Sequence, residues 1–248
     1  MQRGIVIVLL LAGLLVTTSM VLLKNKKVPA NGGFAIVELF TSEGCSSCPP
    51  ADKAVADLPG KYNSNVYVLG FHVDYWDYLG WRDIYSRAAY SRRQQQYGSI
   101  FHLGSIYTPQ AIVNGSVEFT GSDTKKLAAA VEDGLSRQAE AIVNITLVTA
   151  GNNITVNYTV QAAPKSLFNV ALVQKHAQSN VHAGENNGRL LHHVNVVRDF
   201  KTINIEGRQG RVVLEIPQGV PAGDCVVIAY TQDAASWKIT GATAATIK

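Results

Sequence analysis

The sequence predicts an α/β domain over residues 31–140 followed by an all-β sandwich domain over residues 141–248, both behind an apolar N-terminal segment, residues 1–30. Three observations predict this. Between Phe34 and about Glu140, short apolar runs alternate with helical stretches. Beyond Ala141 the chain turns to alternating strand patterns separated by turn residues. Ahead of both, Ile5 to Leu23 carries no charge and is nearly all apolar.

That N-terminal run is about long enough to cross a bilayer as a helix. Arg3 precedes it, and Lys24, Lys26 and Lys27 follow. Two readings are open: a signal peptide cleaved near Val28-Pro29-Ala30, or a retained membrane tether through residues 5–23. No cysteine follows the run, which argues against a lipoprotein anchor. Both readings export the chain, so the expected location is periplasmic or otherwise extracytoplasmic. Asn31-Gly32-Gly33 reads as a flexible lead into the folded part.

The α/β domain opens with Phe34–Phe40, a short apolar run suited to a buried parallel strand. A turn, Thr41-Ser42-Glu43-Gly44, leads to Cys45-Ser46-Ser47-Cys48-Pro49-Pro50. Proline is favoured at a helix start, so a helix is predicted over Ala51–Leu58 and stopped by Pro59-Gly60. Val66–Val73 is a second strand, and a polar helix runs from Ile84 to about Tyr97. After Tyr107-Thr108-Pro109, strands Gln110–Val113 and Ser116–Thr120 flank the hairpin dipeptide Asn114-Gly115. Ser122 and Asp123 cap a closing helix. The order βαβα, hairpin, α implies a mixed sheet covered by helices.

The second unit is predicted to hold seven strands, the first at Ile142–Thr149 and the last at Trp237–Thr246. Turns such as Gly151-Asn152-Asn153 separate them, as in a sandwich.

Across the whole chain, hydrophobic residues make up 47% and charged residues 16%, which excludes a disordered chain. The formal charge is only +4, with no basic stripe interleaved with aromatics, so nucleic acid is not an expected partner.

Chemistry concentrates at Cys45 and Cys48. A helix N-terminus presents unpaired N–H groups and partial positive charge that stabilise a thiolate, the reactive form of cysteine. Cys45, at the loop end, is the expected exposed attacking thiol; Cys48, a turn into the helix, is the resolving thiol. A structural disulfide is the plain alternative in an exported chain, although so short a loop is a weak staple. No second Cys-x-x-Cys is present, so a zinc site is not expected; the leading reading calls for no metal and no cofactor.

Strand, Cys-x-x-Cys at a helix start, and Thr108-Pro109 before a hairpin together resemble the thioredoxin pattern. The resemblance implies a thioredoxin-like fold for the α/β domain, a cis-proline at Pro109 beside the cysteines, and a substrate-docking role for Thr108. The segments Glu38–Asp52, Tyr107–Gln110 and Gly184–Arg189 resemble more closely a family of uncharacterised secreted proteins catalogued as domain of unknown function 1223. Two departures from ordinary thioredoxins stand out. Gly44 replaces an aromatic residue before the first cysteine, and Leu39 occupies the place of a buried acid. Glu38, next to it, is expected on the opposite face of the strand.

His72 and Asp74 end the second strand and are candidate acid/base residues; thiolates and imidazole would also suit copper. The plain reading makes them a polar cluster with Trp76 and Trp81. Gly184–Arg189 reads either as a rim over the cysteines or as an ordinary turn in which Glu185 and Arg189 pair. Cys225, in an apolar strand, reads as a buried hydrophobe.

The function expected from these residues is an exported thiol–disulfide oxidoreductase, with a protein or small-molecule thiol or disulfide as partner. The alternatives are a copper or other metal chaperone using the same thiols, and a non-catalytic binding module.

Overall fold

The apolar run after Gly33 folds as a strand, β1 (Ala35–Thr41), buried along its whole length. Beside it lies β2 (Val66–His72), parallel and in register from Ala35↔Val66 to Thr41↔His72. These elements belong to a computed structural model that describes residues 32–62 and 65–247. The apolar segment Ile5–Leu23 and its expected cleavage site lie outside the described residues. Among the described residues, no helix is long and apolar enough to cross a membrane.

Two helices connect β1 to β2: α1 (Pro49–Ala56) and the single turn α2 (Leu58–Tyr62). The helix predicted from Ile84 begins later, as α3 (Ala88–Ile100), because turns occupy the chain up to Arg87. The predicted hairpin forms from β3 (Gln110–Val113) and β4 (Val117–Thr120). Its turn places Asn114 at φ 50° and Gly115 at φ 61°, the left-handed pair that such dipeptides supply. Asp123 caps α4 (Thr124–Ser136) by accepting the Lys126 N–H at 3.0 Å.

Seven strands follow: β5 (Ile142–Ala150), β6 (Asn153–Gln161), β7 (Ser166–Asn180), β8 (Leu190–Asn204), β9 (Gln209–Glu215), β10 (Cys225–Asp233) and β11 (Ile239–Thr246). All seven were predicted, but they do not close a sandwich of their own. β7, β8, β10 and β11 extend the first sheet, giving eight strands in the order β11-β10-β7-β8-β2-β1-β3-β4. Only β5, β6 and β9 form a separate three-stranded sheet. The expected fold class, a thioredoxin-like α/β domain followed by an all-β sandwich domain, is therefore corrected. The chain is mostly β, built on one large mixed sheet with few helices.

The physical reason lies at the edge of β2. A bare strand edge leaves a row of backbone groups unpaired, and β8 covers it through the parallel bridge Gly70↔Val196. A side chain at position 70 would meet the Asn195 carbonyl at 3.2 Å, so glycine there permits the approach. One face of the joined sheet carries a single core. Ile36 and Phe71 from β1 and β2 pack in it with Val173 and Tyr230 from β7 and β10, and with Tyr90 and Tyr97 from α3. The opposite face is covered in two parts. The helices α1 and α4 cover Val37, Leu39 and Val68, and the small sheet covers Phe168, Leu172 and Val227.

Candidate functional site

The site begins where β1 ends. Ser42 Oγ accepts the Gly44 N–H at 3.1 Å and the Ser42 carbonyl accepts the Cys45 N–H at 3.2 Å, turning the chain into α1. Pro49 and Pro50 open the helix where their missing N–H groups cost nothing. Cys45 and Cys48 are joined by a disulfide. Both are 0% exposed, whereas Ser46 and Ser47 between them face solvent. The expectation that Cys45 is an exposed attacking thiol is thus corrected: the loop buries it as deeply as Cys48.

The Thr108–Pro109 peptide is cis, and Trp76 ties it to the cysteine loop. The Trp76 indole donates to Thr108 Oγ1 at 2.8 Å, and its Cβ lies 3.0 Å from where a side chain on Gly44 would begin. The residue before Cys45 must be small for this indole to pack there. Beneath the proline, a methyl on Gly121 would fall 2.7 Å from Leu39 Cδ1, 3.1 Å from Ala51 and 3.4 Å from Pro109. Gly121→Val is accordingly expected to push Pro109 away from α1 and to destabilise the fold by about 1–3 kcal/mol, the usual range for overpacking. Chemical denaturation of the variant checks this, and an unchanged midpoint would show that the packing yields.

Two carboxylates that bracket the cysteines in sequence belong to a buried cluster of charge. Glu43, two residues before Cys45, and Asp52, one helical turn after Cys48, flank His193 of β8. His193 Nε2 is 3.3 Å from Glu43 Oε1, and Nδ1 is 3.4 Å from Asp52 Oδ2. Neither contact is aligned as a hydrogen bond, so both ring nitrogens and Glu43 Oε1 lack hydrogen-bond partners among the described residues. Charge, rather than bond geometry, holds the group. Burial alone would lower the imidazole pKa, but the Asp52 and Glu43 carboxylates outweigh it and push the value up to about 9. Glu43 Oε2 accepts the Trp81 indole N–H at 2.7 Å, and Asp52 Oδ1 accepts the Thr41 hydroxyl at 3.0 Å.

A second buried pair adjoins the first. His72 Nδ1 meets Asp83 Oδ2 at 2.6 Å, and the His72 and His193 rings pack edge to face at 4.8 Å. Burial raises the Asp83 pKa, but His72 and the N–H groups of Glu43 and Tyr85 overcome it and hold the carboxyl below its ordinary value.

The β7–β8 loop closes over the cysteine turn. Asn186, 0% exposed, donates its side-chain amide to the carbonyls of Glu43 at 2.8 Å and Cys45 at 3.0 Å. Glu185 Oε2 accepts the Ser46 N–H at 2.9 Å, a bond that holds the carboxyl below its usual range. Arg189 donates to Asn186 Oδ1 at 2.7 Å. The expected Glu185–Arg189 pair does not form, because each side chain is used to seat the loop.

The fold therefore brings Cys45, Cys48, Thr108 and Pro109 into one neighbourhood. His72 belongs to the buried cluster. Asp74 does not join it: its carboxylate accepts the Ser91 hydroxyl of α3. Cys225 is buried, and burial pushes its thiol pKa up. Sequence reasoning missed Glu43, Asp52, Asp83 and His193. Only the placement of Asp52 four residues after Cys48, on the same helix face, was a readable signal. Trp76 and Trp81 do not simply join His72 and Asp74 in a polar cluster: the Trp76 indole donates to Thr108 and the Trp81 indole to Glu43. Among the described residues, no group of three His, Cys, Asp or Glu side chains is arranged to hold a metal ion.

No curated protein matches the chain. A crystal structure of protein AGR_C_4864 from Agrobacterium tumefaciens is 29% identical, with a TM-score of 0.61 over 85% of this chain and 92% of that one. HBP35 of Porphyromonas gingivalis is 18% identical, with a TM-score of 0.59 over 87% of this chain and 76% of that one, a likeness of fold alone. Residues 36–232, which hold the cysteine turn, the cis-proline and the closing loop, match the family described as Protein of unknown function (DUF1223), and the chain belongs to that family.

Proposed function

We propose that this protein is an extracytoplasmic thiol–disulfide exchange protein in which Cys45–Cys48 alternates between disulfide and dithiol. The observation that carries the reading is the disulfide at the start of α1, with Thr108-Pro109 tied to the same turn through Trp76. Nearby N–H groups at a helix start favour the thiolate. Cys45 forms the mixed disulfide with a partner, and Cys48 resolves it. Thr108 and Pro109 line the approach. Export is supported by the apolar run Ile5–Leu23 and by the disulfide itself.

The test is turnover of a small-molecule disulfide by the reduced protein. Cys45→Ser is expected to abolish it, and Cys48→Ser to accumulate covalent partner adducts. Unaltered turnover in both variants would sink the reading. One observation favours a second reading: both cysteines are 0% exposed, as suits a disulfide that only braces the turn. In that case the pair stays oxidised and no adduct accumulates in Cys48→Ser. The copper reading has no such support, because His72 is engaged with Asp83 at 2.6 Å.

A further inference from the structure

The turn that holds Cys45 and Cys48, both 0% exposed, is bonded by a segment that is remote in sequence. The β7–β8 connection runs from Val181 to Arg189, and its base is closed by the Val181 N–H to Arg189 carbonyl bond at 2.9 Å and the Gly188 N–H to Val181 carbonyl bond at 2.8 Å. Gly184 at φ 72° and Gly188 at φ 77° flank the tip, a conformation that glycine adopts at no steric cost. The root of the loop rests on the turn after β2, where a side chain on Gly184 would lie 3.6 Å from Trp81 Cβ. The tip makes a defined set of bonds to the cysteine turn. Asn186 donates to the carbonyls of Glu43 and Cys45, and Glu185 accepts from the Ser46 N–H. Asn186 is itself fully buried.

Lifting the tip would leave the Ser46 N–H and the Glu43 carbonyl without partners, and the Cys45 carbonyl with the Cys48 N–H alone. Glu43 and Cys45 are buried, and buried backbone groups of this kind demand replacement bonds. An extended polypeptide carries both N–H and C=O groups and can supply them. A small thiol cannot.

We infer that the Gly184–Arg189 loop is a displaceable cap occupying the place of an extended, cysteine-bearing polypeptide, which takes over its bonds to the cysteine turn as it reaches the disulfide. The inference rests on the exchange reading above and adds the class of partner and the control of access. In the exchange step, a peptide thiolate forms a new S–S bond to Cys45 Sγ while the Cys45–Cys48 bond breaks. The electron pair leaves on Cys48 Sγ, which takes up a proton. A second peptide thiolate then attacks the peptide sulfur of the mixed disulfide. The peptide pair is released as a disulfide, and the electron pair returns to Cys45 Sγ, which is protonated in turn. The peptide thiols are oxidised and the protein disulfide is reduced.

The experiment measures how fast tris(2-carboxyethyl)phosphine opens the disulfide in the oxidised full chain, read by thiol labelling and mass spectrometry. Asn186→Ala removes the two side-chain bonds to the cysteine turn and the one from Arg189, so it is expected to accelerate opening on the order of tenfold or more. Glu185→Ala removes one exposed grip and is expected to give a smaller acceleration. It keeps the test alive should Asn186→Ala fail to fold. Equal rates in wild type and every folded variant would overturn the cap. For the partner class, a short extended peptide bearing two cysteines is compared with 2-mercaptoethanol at equal thiolate concentration. Wild type is expected to favour the peptide, and Asn186→Ala to narrow the preference by speeding the small thiol. No preference in wild type would overturn the polypeptide assignment. Faster phosphine opening in Asn186→Ala, with no exchange with either thiol, would uphold the cap and count against the exchange reading itself.

Discussion

Arg93→Leu is expected to destabilise the fold by about 3–5 kcal/mol, the usual cost of stranding one partner of a buried ion pair. Glu38 and Arg93 lie on the face of the sheet opposite α1, with side chains 0% and 6% exposed. The guanidinium grips the carboxylate at two points, Nε to Oε2 and Nη2 to Oε1, both at 2.7 Å. Tyr97 and Tyr230 donate hydroxyls to the same Glu38 oxygen at 3.1 and 3.0 Å, and the guanidinium faces the Phe200 and Trp237 rings at 4.9 and 5.1 Å. This network joins β1, α3 and β10, and so ties the strands before residue 140 to those after it. With Arg93 gone, Glu38 is left as a charge among aromatic rings. The double variant Glu38→Leu with Arg93→Leu is expected to recover part of the loss, because no uncompensated charge is left behind. Urea denaturation of the two variants checks this. A loss below about 1 kcal/mol in the single variant would show that Glu38 finds another partner or water.

Raising the pH from about 6 to about 10 is expected to remove about 3 kcal/mol of stability through His193 alone. Its pKa stands at about 9 in the folded chain against an ordinary 6.5. A group whose folded value lies above its unfolded one stabilises the fold fully below the unfolded value. That contribution falls as the pH rises through the folded value. The window is therefore 6.5 to about 9, where the imidazolium between Glu43 and Asp52 is lost and two buried carboxylates face a neutral ring. His193→Gln is expected to be less stable than wild type at neutral pH and to converge with it above the window. Denaturation midpoints across that range decide the matter, and parallel curves for the two proteins would place the charge elsewhere.

Strand positions were legible because alternation and apolar runs are local signals. All seven strands after residue 141 are present, and Asn114-Gly115 specified its hairpin through its tolerance of positive φ. Which sheet each strand joins was not legible. That depends on which edges lie free, and Gly70 shows this only once Asn195 is seen against it. Glu38 was correctly expected on the face away from Leu39, since successive strand residues point to opposite faces, but its partner Arg93 could not be named from spacing. The candidate site followed the same division. Cys45, Cys48 and Thr108-Pro109 are short motifs and were readable. His193, Asp83 and Asn186 come from segments remote in sequence and carry no motif.

The sequence by itself determined the elements, the cysteine turn at the head of α1 and the proline ahead of the hairpin, because each depends on neighbours within a few residues. Tertiary structure alone decided that β7, β8, β10 and β11 join the first four strands in one eight-stranded sheet while β5, β6 and β9 form another. It also decided that two carboxylates share a single buried imidazole, and that a loop from the far strands bonds to the cysteine turn. Those outcomes follow from unpaired strand edges and buried charges, which are satisfied by whichever groups the folded chain brings within reach.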